Sequence, residues 1–234
     1  MLTLLGCGSP NVHKILLMLA ETGLPYHFKH MSLYDGSLTQ PEFRAIAPNG
    51  RLPVLIDDGA AIFESGAILI HLAEKVGMLM PTSGKARSET LQWLMWQMAG
   101  VGPIFGQALH FSYVMPKGND YAKGRYLREV NRLYDVAEIR LATVPWLGGT
   151  AYSIADIAAA PWLRNYVKTL DIDLGTRPHV ANWLARIEAR PAWAATEAES
   201  KRLFKADLAA QNAASNAQKA EFFGMETAAW AGGR

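Results

Sequence analysis

The amino-acid sequence predicts an α/β domain followed by an all-helical domain. Three observations indicate this: short apolar strands alternate with helices up to about residue 76, strand patterns stop by about residue 88, and a segment containing Pro and Gly, 77–84, separates the two halves. The 234 residues, 50% hydrophobic and 19% charged, are enough for two cores of moderate size. We expect domains at 1–78 and 87–200, followed by a tail at 201–234.

The first half is predicted to have the order β-α-β-α-β-β-α. A short strand at Leu2–Leu5 precedes a helix at Pro10–Glu21, in which apolar residues recur at helical spacing and which Gly23 ends. A second strand, Tyr26–Met31, and a helical turn, Pro41–Ile46, follow.

The rest of this half is predicted to be a β-hairpin that leads into a helix. An Asp-Gly pair at positions 58 and 59 separates the apolar runs Val54–Ile56 and Ala60–Phe63, which is typical of a two-residue hairpin turn. Helical spacing then begins at Ser65. Because the first amide groups of a helix lack partners within it, the start of this helix favours a carboxylate.

The proline that opens the hairpin is unusual, because proline gives up one hydrogen bond of the sheet. If the Leu52–Pro53 bond is cis, the N–H and C=O of Leu52 are available to pair with an extended peptide. Such a backbone clamp beside the helix start at Glu64-Ser65 would suit a small peptide with an acidic end. The alternative is an ordinary capped helix after an ordinary hairpin.

The second half is predicted to contain helices at 89–98, 121–141, 154–170 and 178–190. Ser153 and Asp156 have the spacing of a capping box, which we interpret as a folding device and not as a catalytic pair. The alanine-rich tail from Lys201 has weak periodicity, and its end is expected to be frayed or docked by Trp230. Whether the tail covers a pocket, extends an interface or hangs free stays open.

Composition argues against several functional classes. The 23 basic and 21 acidic residues give a net charge of +2 without a basic run, which indicates neither nucleic acid nor a membrane surface as a partner. No apolar run approaches the roughly 20 residues that span a bilayer. A single cysteine and six scattered histidines predict no metal site and no internal disulfide. With no signal-peptide pattern at its start, the chain is expected to be cytoplasmic.

Several separated motifs match one known plan. They are Ser9-Pro10-Asn11, Leu52-Pro53, Glu64-Ser65, Ser153-x-x-Asp156 and the segments 91–97, 102–107 and 145–149. Together they resemble the cytosolic glutathione transferase superfamily, and specifically its nu-class-like branch of bacterial disulfide-bond oxidoreductases and yeast-prion-like proteins. The resemblance covers residues 1 to about 195. It implies a thioredoxin-like βαβαββα domain followed by the all-helical glutathione transferase domain.

The resemblance also implies a glutathione site. In that branch a Thr-Pro-Asn motif faces the glutathione sulfur, and here Ser9 replaces the threonine, so that Ser9 and Asn11 become the catalytic candidates. A hydroxyl and an amide at a helix N-terminus favour a thiolate over a thiol. The remaining glutathione contacts implied by the family are Leu52 for the cysteinyl backbone, Glu64 and Ser65 for the γ-glutamyl group, Arg51 and Gln40 for a carboxylate, and Arg132 from the helical half. Ser9 as a simple helix cap and the arginines as surface residues are the alternatives.

Cys7 admits two interpretations. Some branches of the superfamily use a protein cysteine near this place for mixed disulfides, whereas a cysteine at the end of a buried strand more often only packs. The hydroxyl at Ser9 favours the second interpretation.

The function implied by the resemblance is reduction of small disulfides, and of organic peroxides, with glutathione as cosubstrate, no metal, and weak glutathione transfer. A classical transferase that conjugates electrophiles and a non-catalytic glutathione-binding regulator are the alternatives. The resemblance further implies a two-fold homodimer.

Overall fold

We describe residues 1–115 and 117–224 of the chain in a computed structural model. The chain divides into two compact units. The first contains residues 1–68 together with residues 195–224 of the described chain, and the second contains residues 69–194. The domain limits predicted from the sequence, 1–78 and 87–200 with a tail at 201–234, stay a prediction.

The first unit is built on a mixed four-stranded sheet. Its strands are β1 (Leu2–Gly6), β2 (Tyr26–His30), β3 (Val54–Asp57) and β4 (Ala60–Phe63). They lie in the order β2-β1-β3-β4, with β1 parallel to β2 and antiparallel to β3, and with β3 antiparallel to β4. The helices of this part of the chain are α1 (Pro10–Thr22), α2 (Pro41–Ile46) and α3 (Ser65–Val76). The predicted order β-α-β-α-β-β-α is confirmed.

Local sequence signals set the limits of these elements. Asp58 and Gly59, with φ of 47° and 87°, form the predicted hairpin turn, since both backbones have the positive φ that an Asp-Gly turn requires. Ser9 caps α1 by accepting a hydrogen bond from the Val12 amide at 3.3 Å. Gly23 ends α1 in the left-handed conformation, with φ of 67°.

The second unit is helical. Its helices are α4 (Gly84–Trp96), α5 (Gly102–Leu109), α6 (Asp120–Leu141), α7 (Ile154–Asn165) and α8 (Pro178–Glu188). Two π-helical segments, Gln97–Val101 and His110–Val114, follow α4 and α5. The predicted helix at 154–170 is five residues too long. Residues 166–170 form turns instead, in which the Leu170 amide donates a hydrogen bond to the Tyr166 carbonyl oxygen at 2.9 Å. The apolar spacing that predicts the helix therefore continues beyond the end of the helix.

The predicted capping box stabilises the start of α7. The fully buried Asp156 carboxylate accepts hydrogen bonds from the Ser153 amide at 3.0 Å, the Leu147 amide at 2.8 Å and the Trp183 indole at 2.8 Å. Burial raises the pKa of Asp156 to about 6, while these hydrogen bonds act in the opposite direction. Asp156 therefore has a structural role, as the sequence predicts.

The chain after α8 forms two further helices, α9 (Pro191–Ala213) and α10 (Asn216–Phe223). The α9 residue Asp207 accepts a hydrogen bond from the Gly8 amide. In α10, the Gln218 side chain donates to the Tyr34 carbonyl at 2.9 Å, and the Phe222 ring lies 5.0 Å from the Tyr34 ring. Helices α9 and α10 of the tail thus cover part of the first unit, near Gly8 and Tyr34. The expectation for Trp230 lies outside the described residues.

Among residues 1–115 and 117–224, we find no helix with both the length and the apolar character needed to cross a bilayer.

Candidate functional site

A cleft of about 150 Å³ opens in the first unit where α1, the hairpin and α3 begin. It is lined by Asn11, Asn49, Arg51, Leu52, Pro53, Phe63, Glu64 and Ser65. Five of these residues, Asn11, Arg51, Leu52, Glu64 and Ser65, are predicted glutathione contacts. Residues far apart in the sequence are therefore brought to one place, as the resemblance implies.

The start of α1 forms one side of the cleft. Proline at position 10 is the first helical residue and Asn11 the second, so the Asn11 side chain lies beside the positive end of the helix dipole. Ser9 precedes them as the cap, and its oxygen accepts from the Val12 amide, so the alternative of Ser9 as a helix cap is observed. Capping uses an oxygen lone pair, and a hydroxyl that caps a helix still has a proton to donate.

The entrance to the hairpin forms the floor of the cleft. The Leu52–Pro53 peptide bond is cis, which is the condition stated for the backbone clamp. Leu52 and Pro53 both line the cleft, with Arg51 beside them. Arg51 also lies 5.8 Å from the Phe222 ring of α10 and borders a second cleft of about 130 Å³. Arg51 thus supplies a positive charge at the border of both clefts.

The start of α3 forms the other side. Glu64 has φ of 71°, a left-handed conformation that non-glycine residues rarely adopt and that is frequent at binding sites. Its exposed carboxylate accepts a hydrogen bond from the Asn49 amide group at 3.3 Å. Ser65, the first residue of α3, is 3% exposed. A carboxylate in the cleft would meet the first amides of α3, while a cation would meet Glu64.

Two residues of this region escape the sequence reasoning. Asn49 lies in the cleft and holds Glu64, and its position in the Pro48-Asn49-Gly50 turn just before Arg51 was the available signal. Lys14 is buried behind Ser65 and donates a hydrogen bond from Nζ to Ser65 Oγ at 3.1 Å. The available signal for Lys14 was that a lysine stands among the apolar residues of a predicted helix.

Cys7 lies outside the residues that line the cleft and is 3% exposed. Burial raises the pKa of the Cys7 thiol to about 12, although a hydrogen bond from Ser9 acts in the opposite direction. The neighbouring Gly8 packs directly against α9, because a Cβ built on Gly8 would overlap the backbone of Phe204. The thiol is therefore neutral and covered, which favours the packing interpretation.

Two predicted contacts, Gln40 and Arg132, are not among the residues that line the cleft. The Gln40 side chain is exposed and donates to the Gly36 carbonyl at 3.3 Å, just before α2. Arg132 belongs to the helical unit, where it forms a two-point ion pair with Glu129 and lines an arginine-rich cleft of about 490 Å³ that also includes Arg125 and Arg128. The hydrogen bond from Arg132 lowers the pKa of Glu129. The roles of Gln40 and Arg132 stay predictions.

Within the described ranges, no three or more His, Cys, Asp and Glu side chains come close enough together to hold a metal ion. The chemistry available to the cleft is that of two helix N-termini, an exposed carboxylate, an arginine and a backbone edge. This set suits an extended zwitterionic peptide, with its carboxylates at α3 and Arg51 and its amine at Glu64.

Comparison with known proteins gives a consistent result. The family models "Glutathione S-transferase, N-terminal domain" and "Glutathione S-transferase, C-terminal domain" match residues 1–74 and 101–191. The chain is 45% identical over 191 residues to the disulfide-bond oxidoreductase YfcG of Escherichia coli K12, covering 79% of this chain and 88% of that protein.

Two solved structures are similar in fold. A glutathione transferase family member from Pseudomonas fluorescens with two glutathione bound has a TM-score of 0.78 and 38% identity, over 83% of this chain and 91% of that chain. A glutathione transferase from Pseudomonas putida with glutathione disulfide bound has a TM-score of 0.77 and 36% identity, over 83% and 90%. The second family model ends at residue 191, so α10 and nearly all of α9 lie beyond it.

Proposed function

Because the chain belongs to the glutathione S-transferase family, we propose that it is an enzyme that uses glutathione to reduce small disulfides. The observation that carries the proposal is the cleft itself, where residues at the starts of α1 and α3 and at the entrance to the hairpin come together. The similarity to a protein named as a disulfide-bond oxidoreductase supports the reaction type.

Each part of glutathione has a partner in the proposed complex. The cysteinyl backbone pairs with Leu52, as a strand pairs with the edge of a sheet. The γ-glutamyl carboxylate takes the first amides of α3 and the Ser65 hydroxyl, and its amine lies against Glu64, which Asn49 holds in place. The glycyl carboxylate meets Arg51. This arrangement directs the cysteinyl side chain toward Asn11 and the start of α1.

The reaction then needs a thiolate and an open approach. The α1 dipole, the Asn11 amide group and the Ser9 hydroxyl stabilise the glutathione thiolate over the thiol, and the thiol proton passes to solvent. The thiolate attacks one sulfur of the disulfide, so that a mixed disulfide forms and the other sulfur leaves as a thiolate. A second glutathione thiolate attacks the mixed disulfide, which gives glutathione disulfide and a second substrate thiol. Two glutathione molecules are oxidised for each disulfide reduced.

This mechanism requires no protein thiol. Cys7 is buried and its pKa is raised to about 12, so it would supply little thiolate near neutral pH. Organic peroxides suit the same site, because a thiolate that attacks sulfur also attacks a peroxide oxygen.

A paired assay tests the proposal. Purified protein is given glutathione with hydroxyethyl disulfide and, separately, with chlorodinitrobenzene. We expect fast turnover of the disulfide and slow conjugation of the aromatic substrate. The opposite ratio would identify a classical transferase, and turnover of neither substrate despite glutathione binding would identify a regulator. Either result contradicts the proposal.

We also expect a homodimer, in which Arg132 of one subunit reaches the tripeptide held by the other. Size-exclusion chromatography with light scattering should give twice the chain mass of 25.7 kDa. Elution at the monomer mass would contradict this part of the proposal and leave the glutathione cleft as it stands.

A further inference from the structure

Lys14 is buried directly behind the cleft. Lys14 is 1% exposed, and Leu17 and Met18, three and four positions further along the same face of α1, are fully buried apolar residues. Nζ donates a hydrogen bond to Ser65 Oγ at 3.1 Å. Lysine is among the side chains least often buried, because removing an ammonium from water is costly.

Whether Lys14 is protonated therefore depends on its burial and on the charges near Nζ. Burial lowers the pKa of Lys14 to about 7, against a smaller opposite effect of Glu64. The adjacent His13 on α1 bonds Thr196 of α9 through Nε2 at 3.2 Å, and burial lowers its pKa to about 4, so it stays neutral near pH 7. Glu64, at the start of α3, is an acidic group that acts on Lys14 and raises its pKa.

Lys14 is linked to the cleft through Ser65. A carboxylate oxygen that accepts a hydrogen bond from Ser65 Oγ would lie within about 6 Å of Lys14 Nζ, given the 3.1 Å between Nζ and Oγ and a further hydrogen bond of about 2.8 Å. An opposite charge at 4–6 Å favours the charged form of a titratable group. A carboxylate at Ser65 would thus stabilise the ammonium, and the ammonium would stabilise the bound carboxylate.

We propose that Lys14 is a positioning residue for the γ-glutamyl carboxylate, which holds the Ser65 hydroxyl toward the ligand and takes up a proton when the ligand binds. The proposal rests on the proposed function, since it takes glutathione as the ligand of this cleft. Its consequence is that binding of a γ-glutamyl ligand is coupled to uptake of a proton from solvent. A lysine that only fills space beneath Ser65 would show no such coupling.

Proton uptake is measured by titration calorimetry with S-methylglutathione at pH 7.5 in two buffers of different ionisation enthalpy. This ligand keeps the γ-glutamyl carboxylate and has no thiol, so release of the thiol proton does not interfere. His13 is neutral at this pH, so it does not offset the uptake. We expect the unaltered protein to take up more than about half a proton per ligand.

Two variants separate the role of Lys14 from the loss of a charge in general. Lys14→Met keeps the length of the side chain and removes the ammonium, whereas Lys29→Met removes an exposed lysine of β2. Lys14→Met should abolish the proton uptake and weaken S-methylglutathione binding about tenfold. It should also raise the KM for glutathione by a similar factor while kcat for disulfide reduction changes less than about twofold. Lys29→Met should behave as the unaltered protein.

The possible failures are distinguishable. If the unaltered protein does not bind S-methylglutathione, the proposed function is wrong. If it binds the ligand without proton uptake, the proposal for Lys14 is wrong, whether or not Lys14→Met folds. The proposal is equally overturned if Lys14→Met takes up the same fraction of a proton as the unaltered protein.

Discussion

The two flanks of the start of α1 differ in access. On one flank, Asn11 faces a cleft that also contains Glu64 and Ser65. On the other flank, Cys7 and Gly8 are covered by α9, whose Asp207 accepts hydrogen bonds from the Gly8 amide and from His30. Both flanks lie at the same helix N-terminus, so the dipole alone does not select the reactive group. Access differs between the flanks, because the cysteine, the strongest nucleophile of the region, is buried.

The cover comes from a part of the chain beyond the family models. α9 continues to Ala213, whereas the second family model ends at residue 191. The same tail also supplies Gln218 and Phe222, which contact Tyr34. The flank that contains Cys7 and Gly8 is thus sealed by the C-terminal extension, the part of the chain beyond residue 191. The open flank, which contains the cleft, is made by the first 65 residues.

Substitution of Gly8 should have the largest effect on this comparison. A Cβ at Gly8 would overlap the backbone of Phe204, and backbone has little freedom to move aside. Gly8→Ala should therefore destabilise the protein by about 2 to 3 kcal/mol, measured by urea unfolding. Gly106→Ala is the matched control, because nothing lies within 4 Å of a Cβ placed at that position and alanine favours the helix. Equal stability of Gly8→Ala and the unaltered protein would show that α9 does not cover Gly8.

Loss of Asp207 should have the next largest effect. Its carboxylate is buried and accepts from the Gly8 amide and from His30 Nε2 at 2.7 Å, so Asp207→Ala leaves two donors without their acceptor. We expect a loss of about 2 kcal/mol in urea unfolding and faster labelling of Cys7 by dithionitrobenzoate. As a control, Glu199→Ala removes a surface pair with Arg202 and should cost less than about 0.5 kcal/mol. Unchanged labelling in Asp207→Ala would argue that another contact protects the thiol.

On the open flank, Asn11→Ala should lower disulfide reduction at least about tenfold, equal to roughly 1.4 kcal/mol of transition-state stabilisation. The amide donor near the thiolate is lost, while the start of α1 keeps its cap at Ser9. The measurement is kcat/KM with hydroxyethyl disulfide, and Asn212→Ala on the exposed face of α9 is the control. Full activity of Asn11→Ala would remove this residue from the proposed site.

The smallest effect is expected for Cys7→Ala. Disulfide reduction should change less than about twofold, because the thiol is covered and its pKa is raised to about 12. In the unaltered protein, the same covering predicts slow labelling of Cys7 at pH 8, since the neutral thiol dominates at all pH values well below 12. Abolished turnover in Cys7→Ala, with turnover retained in Ser9→Ala, would reverse the assignment of the two flanks.

Local sequence signals predicted much of the fold and part of the candidate glutathione site. The Asp58-Gly59 turn, the Ser9 and Gly23 caps and the Ser153–Asp156 capping box are interactions among residues a few positions apart, so their spacing in the sequence identifies them. Local pattern indicated Leu52 and the helix start at Glu64-Ser65 as a peptide clamp, whereas Asn11 and Arg51 were predicted only from the family resemblance. The structure places Asn11, Leu52 and Ser65 together in one cleft, while Gln40 lies outside it.

The sequence by itself determined the strands and helices of residues 1–76 and the starts of α6, α7 and α8, because caps, turns and hydrophobic spacing act within a few residues. It placed the start of α4 five residues late and did not predict α5, α9 or α10. The tertiary structure decided what those elements cover. Asp207 and Gly8 are 199 positions apart, and Lys14 and Ser65 are 51 apart. The first contact joins a side chain to the backbone, and the second joins two side chains. No local periodicity indicates either contact. Whether a buried lysine lies behind a ligand site, and whether a cysteine is open or sealed, depends on such long-range packing, since exposure is a property of the assembled chain.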